Sequence, residues 1–167
     1  FNISVGYDLA GIKEEKIDTF IESMKEAKDT EIFQECRQWL LDHLDRFKNV
    51  TREDIEAIPS NICNSATIST LHGCPPNEIE SIANHLYKEK HLNTFIKCNP
   101  TLLGYEFARK TMDDMGYDYM KFGDFHFLDD LQYKDAIPMF RRLMALADEL
   151  GLAYGVKITN TFPVDVT

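Results

Sequence analysis

Ala66-Thr67-Ile68-Ser69-Thr70-Leu71 is a β-rich run that breaks at His72-Gly73-Cys74-Pro75-Pro76. Asn77 then leads a segment with Ile79, Ile82, Ala83 and Leu86 at helical spacing. It closes on Lys88, Lys90 and His91, the cations that a helix C-terminus favours. The alternation continues downstream. Thr94-Phe95-Ile96-Lys97-Cys98 reads as a strand ended by Asn99-Pro100, Tyr105 to Met115 as a helix stopped by Gly116, and Tyr117 to Phe122 as a third short strand. A loop from Gly123 to Gln132 follows, then a helix with Pro138 near its start and Gly151 at its end. The last strand runs from Ala153 to Ile158. From residue 61 onward the order is therefore β-α-β-α-β-α-β with short connections. Parallel strands need such crossovers, so the pattern predicts an α/β fold, a parallel sheet with flanking helices.

Working outward, Phe1-Asn2-Ile3-Ser4-Val5-Gly6 alternates apolar and polar residues and adds a fifth strand. A complete (β/α)8 barrel needs eight strands and typically about 250 residues, so the sheet is either open or part of a TIM-like barrel. Between the first strand and the βα alternation lies a helical block. Ile17, Phe20, Ile21 and Met24 share one face, and Ile32, Phe33, Cys36, Leu40, Leu41 and Leu44 another, with Thr30 as the N-cap between them. Thr51-Arg52-Glu53-Asp54 opens a third helix that Pro59 ends. This acidic helical block, at about 13–60, reads as an insertion in a single partial barrel domain spanning 1–167. The chain starts at Phe1 and enters a strand at once, which reads as a cut piece. Cut strands leave unpaired edges, so a homodimer through those edges is expected.

The 167 residues are 44% apolar and 28% charged, ordinary values for a globular chain and unlike those of disordered ones. With 28 acidic against 18 basic residues the formal net charge is −10, which argues against a nucleic-acid partner. No apolar run of membrane-spanning length and no leader pattern occurs, and a cytoplasmic location is expected. Cys36, Cys63, Cys74 and Cys98 are well separated, without any CxxC, so they read as isolated reduced thiols.

Ligands of parallel α/β folds gather outside the carboxyl ends of the strands. Four such ends bring polar residues here: His72, Gly73 and Cys74; Asn99, Pro100 and Thr101; Gly123, Asp124 and His126; and Lys157, Thr159, Asn160 and Thr161. His72 and Cys74 offer an imidazole and a thiol beside a helix start, for acid/base work or anion binding; equally, the segment is a tight turn with a packed cysteine. Asp124 and His126 could form a proton-transferring pair or a structural hydrogen bond. Lys157 either reaches a phosphate or the electron-rich edge of a flavin, or is a half-exposed strand lysine. A zinc set of His72, Cys74, Cys98 and His126 lacks specific spacing, and no metal is expected. No glycine-rich phosphate loop of either standard type is present.

Four blocks are specific when taken together: Asn2-Ile3-Ser4-Val5-Gly6-Tyr7-Asp8-Leu9, Ser69-Thr70-Leu71-His72-Gly73-Cys74-Pro75-Pro76, Cys98-Asn99-Pro100-Thr101-Leu102-Leu103-Gly104 and Val156-Lys157-Ile158-Thr159-Asn160-Thr161. Over essentially the whole chain they resemble the family described as putative selenate reductase subunit of the YgfK type. The resemblance implies a segment of a large bacterial oxidoreductase, in which a barrel similar to dihydropyrimidine and dihydroorotate dehydrogenases is joined to other domains. It implies FMN in the intact barrel, and FAD, NAD(P)H and iron–sulfur clusters elsewhere in the parent protein, with a small-molecule substrate. Lys157 then matches the strand lysine that contacts FMN, with Thr159, Asn160 and Asn99 lining the same mouth. His72 and Cys74 match the turn beside flavin and substrate, and Asp124 and His126 complete the catalytic candidates. Phe122-Gly123-Asp124-Phe125-His126-Phe127 departs from the family's acidic pair and paired histidines, leaving one of each. The glycine-rich strands that grip the FMN phosphate fall beyond Thr167, so the isolated segment is expected to bind flavin poorly. Two other readings remain open: a non-catalytic scaffold whose helical insertion docks other domains or subunits, and a self-contained hydrolase or lyase using His72, Asp124 and His126.

Overall fold

Strand β1 (Asn2–Val5) and a single turn α1 (Leu9–Ile12) lead into helices α2 (Glu15–Lys25), α3 (Glu31–Asp42) and α4 (Arg52–Glu56). Next come β2 (Ser65–Ile68), α5 (Pro76–Lys88), β3 (Asn93–Cys98), α6 (Tyr105–Asp114), α7 (Phe125–Asp129), α8 (Tyr133–Leu150) and β4 (Tyr154–Ile158). The structure, a computed structural model, describes residues 1–6, 8–69, 73–162 and 164. The chain divides into two compact units: residues 2–12 with 65–167, and Phe1 with 13–64.

In the first unit the four strands form one sheet in the order β1-β2-β3-β4, every neighbouring pair parallel, as the βα alternation predicts. The register pairs Ile3 with Ala66, Ile68 with Ile96 and Lys97 with Lys157. With a side-chain period of two, Ile3, Val5, Ala66, Ile68, Thr94, Ile96 and Cys98 share one face and are buried there. Asn2, Ser4, Ser65, Thr67, Asn93, Phe95 and Lys97 share the other. Helices α5 and α8 pack on the apolar face and on each other. They bury Ile79, Ile82, Ala83, Leu86 and Tyr87 from α5, and Ala136, Met139, Leu143 and Ala147 from α8, both sets at helical spacing. Each fully buried Ile or Leu among them contributes about 1.5–3 kcal/mol. The Tyr87 hydroxyl donates to the carbonyls of Thr94 and Ala153 at 3.0 and 3.2 Å, tying the end of α5 to the start of β3 and the approach to β4.

Two expectations need correction. Tyr117–Phe122 is not a strand, so among the described residues the sheet has four strands rather than five, and β4 pairs directly with β3. Tertiary contacts override the segment's β propensity. The Arg109 guanidinium takes the carbonyls of Tyr117 and Met120 at 3.1 and 2.7 Å and lies 4.6 Å from the Phe122 ring centroid. Phe122 itself is buried in an aromatic cluster with Phe127, Tyr105 and Phe162. The stretch from Gly123 to Gln132 is also not all loop, since α7 lies within it.

The helical unit holds α2, α3 and α4. Thr51 and Asp54 form a capping box at α4: the Thr51 hydroxyl accepts the Asp54 N–H at 3.2 Å, and the Asp54 carboxylate accepts the Thr51 N–H at 2.8 Å. Those hydrogen bonds hold the Asp54 carboxyl below its usual pKa. Thr30 stands at the N-cap position of α3, but its hydroxyl donates to the Ala27 carbonyl instead of capping the helix. Asn61 Nδ2 donates to the Lys25 carbonyl at 2.7 Å, closing the unit back on the end of α2.

Gly155 is sterically required. A Cβ there would come within 2.4 Å of Phe95 Cδ1, because the Phe95 ring lies across the neighbouring strand. Gly155→Ala is expected to destabilise the protein by about 1–3 kcal/mol, read by denaturant unfolding. Gly123→Ala, where a Cβ meets nothing within 4 Å, serves as the near-neutral comparison.

Candidate functional site

All four strands point their carboxyl ends to one edge of the sheet, and the loops there hold most of the residues singled out above. After β2, Gly73 adopts φ +81°, the left-handed region that favours glycine. Its N–H donates to Asp130 Oδ1 at 2.9 Å. The other oxygen of Asp130 accepts the Thr101 hydroxyl at 2.7 Å, from the 3-10 turn that follows β3. Asp130 is 5% exposed and Thr101 1% exposed. A buried carboxylate thus joins the loop after β2 to the loop after β3, two charge-assisted hydrogen bonds in a site with little water.

Beside this link is a small crevice lined by Cys74, Ile79, Lys97, Cys98, Asn99, Leu102, Asp130 and Leu131. Burial, reinforced by the nearby Glu78 carboxylate, raises the Cys74 thiol above its ordinary pKa. Burial pushes the Cys98 thiol up to about 11. Both thiols are therefore protonated near neutral pH, which suits proton donation or packing and disfavours a thiolate nucleophile.

Between β3 and β4 the strand ends are stitched together. Asn160 Nδ2 donates to Asn99 Oδ1 at 3.0 Å, the Thr159 hydroxyl donates to the Cys98 carbonyl at 3.0 Å, and the Asn160 N–H donates to the same carbonyl at 3.2 Å. Lys157 is exposed, one residue before the end of β4, with Lys97 as its register partner. So Asn99, Thr159 and Asn160 form one hydrogen-bonded group, and Asn99 also lines the crevice that holds Cys74.

The remaining candidates are placed differently. Asp124 is exposed at the N-terminus of α7, and His126 is half-buried two residues on, its ring 5.3 Å from that of Phe125. No hydrogen bond or ion pair joins Asp124 to His126, and neither lines the crevice. His72 lies outside the described residues. Among the described residues, no group of three or more His, Cys, Asp or Glu side chains is arranged to hold a metal ion.

Two residues emerge only from the structure. Asp130 is one of two adjacent aspartates, and nothing in Leu128-Asp129-Asp130-Leu131 says which is buried; Asp129 is exposed. Lys97 had a usable signal, because strand alternation from Asn93 to Cys98 puts it on the face opposite the buried Ile96 and Cys98.

The family described as "Oxidoreductase YgfK, N-terminal TIM-barrel domain" matches residues 1–167. Two proteins named "Putative oxidoreductase YgfK", from two strains of Escherichia coli, are 44% identical to the chain over 172 residues, covering 96% of the chain. The chain spans 17% of the length of each of these relatives. No solved structure matches it. No helix among the described residues is long and apolar enough to cross a membrane.

The geometry orders the reactivity of the thiols. Exposed Cys36 is expected to react first with iodoacetamide at pH 8, Cys74 more slowly, and the buried Cys63 and Cys98 more slowly still, as followed by peptide mass spectrometry. Asp130→Ala strands the Gly73 N–H and the Thr101 hydroxyl, and is expected to cost about 1–3 kcal/mol of stability. It should also speed the alkylation of Cys74, whereas a rate equal to that of the wild type would mean that Asp130 does not hold the turn.

Proposed function

The chain belongs to the YgfK oxidoreductase N-terminal TIM-barrel family, and from that premise we propose that it supplies strand-end residues to the flavin and substrate site of an oxidoreductase. The observation that carries the reading is the Asn99–Asn160 hydrogen bond at 3.0 Å, flanked by the exposed Lys157 ammonium at the carboxyl ends of β3 and β4. This donor set suits FMN: an ammonium and two carboxamides can meet the electron-rich pyrimidine edge of an isoalloxazine ring. A bound flavin would supply hydride or electron transfer. Lys157 would hold and polarise that edge, and Asn99, Thr159 and Asn160 would fix its orientation. Cys74, protonated near neutral pH, stands where it can give a proton to a substrate at the crevice, with His72 two residues before it.

The rest of the activity is proposed for the longer protein. With relatives about six times the length of this chain, FAD, NAD(P)H and iron–sulfur clusters would belong to other domains, and those domains are its natural partners in the cytoplasm. Selenate as the oxidant is carried by the family resemblance alone. The scaffold reading keeps one specific support. The helical unit exposes Phe20 at 55%, Ile32 at 66% and Trp39 at 48%, apolar surface that a neighbouring domain would cover.

Fluorescence-quenching titration of FMN against the full-length protein separates the two readings. Lys157→Ala is expected to weaken FMN binding about 10–150-fold, the equivalent of one hydrogen bond to a charged group. Unchanged affinity, or no FMN binding by the folded full-length protein, would favour the scaffold.

A further inference from the structure

Lys97 and Lys157 are register partners across the parallel ladder between β3 and β4, so their Cα atoms lie about 4.8 Å apart and their side chains leave the same face. Like charges set directly opposite in a sheet are destabilising. The strand residues of that face do not offset them, although Asp130, committed to Gly73 and Thr101, lines the same crevice as Lys97. The other strand residues of the face are Asn2, Ser4, Ser65, Thr67, Asn93, Phe95 and Gly155, none of them acidic. Neither lysine has an ion pair or hydrogen bond to any described residue. This happens in a chain with 28 carboxylate side chains and a net charge of −10, where counter-charges are plentiful elsewhere. The flanking amides after the two strands are committed to one another: Asn160 Nδ2 donates to Asn99 Oδ1 at 3.0 Å. Two ammonium groups without an ion pair or hydrogen bond to a described residue thus stand together among uncharged strand residues, at the edge of the sheet where ligands of parallel α/β folds bind.

We propose that Lys97 and Lys157 form one anion-binding site, and that the substrate of this site carries a small, compact negative group, an oxyanion or a carboxylate, held between the two ammonium groups. The proposal deepens the strand-end reading above by naming the charge of the substrate, and it does not require that a flavin be bound. A compact anion converts the unfavourable lysine pair into two charge-assisted contacts. The site therefore discriminates against neutral and cationic ligands of the same size, because such ligands leave the repulsion in place.

The test uses the full-length protein and inorganic phosphate as the probe. Isothermal titration is run at constant ionic strength set with potassium chloride, so that screening stays fixed, and hydrogen exchange is followed in peptides covering β3 and β4. Saturable phosphate binding is expected, with slower exchange in both strands. Lys97→Met and Lys157→Met should each weaken it about tenfold or more, and Lys97→Arg should retain it. In low salt without phosphate, both methionine variants should protect β3 at least as well as the wild type, since each removes the repulsion while keeping an apolar stem. Phosphate binding that is absent, or equally strong in both methionine variants, overturns the proposal, as does a loss of protection in phosphate-free methionine variants. Flavin content, read by absorbance in the same samples, keeps the two readings apart. Flavin retained with no lysine-dependent phosphate binding removes only this proposal, and phosphate binding without flavin removes only the flavin reading.

Discussion

Parallel pairing of four consecutive strands is the constraint on which everything else here rests. Because each strand must return through a crossover, the apolar face of the sheet is covered by α5 and α8, and all the carboxyl ends arrive at one edge. That edge collects Gly73 and Cys74 after β2, Asn99 and Thr101 after β3, and Thr159 and Asn160 after β4. An antiparallel arrangement would send alternate loops to opposite ends and leave no such cluster.

Within the cluster, a few polar contacts turn proximity into defined geometry. Asp130 holds the β2 loop against the β3 loop, and the Asn99–Asn160 pair holds β3 against β4. These links differ in kind. The first is a buried carboxylate satisfying two donors, so its loss strands polar groups in a dry site. The second is half-buried and joins two neutral amides, which costs less to open. The thiols are kept protonated by burial, so the chemistry open to this edge is donation of protons and recognition of electron-rich or anionic groups.

Much of the fold was legible in the sequence, because its signals are local. A strand starting near Ala66, the helix behind Asn77 and a helix opened at Thr51 follow from period, breakers and caps, and the structure has them as β2, α5 and α4, with β2 ending at Ile68 so that Ser69 lies outside it. Tyr117–Phe122 misled because its β-rich composition says nothing of Arg109, eight to eleven residues upstream, which captures its carbonyls. Cys74, Asn99, Thr159 and Asn160 were singled out by the rule that strand ends bind ligands, and the structure places them at one edge of the sheet. Asp130 was not, since a buried aspartate and its exposed neighbour look alike until the partners that satisfy one of them are placed. Lys97 was visible by alternation, but its meaning depended on the register that sets it opposite Lys157, and register is a tertiary property.

The most direct test of the central claim, that β3 and β4 end in a flavin and substrate site, is a crystal structure of the full-length protein grown with FMN. The isoalloxazine ring is expected at the carboxyl edge of the sheet, with Lys157 and Asn160 within hydrogen-bonding distance of its pyrimidine side. FMN bound in another domain, or no FMN at an open and ordered strand edge, would contradict it.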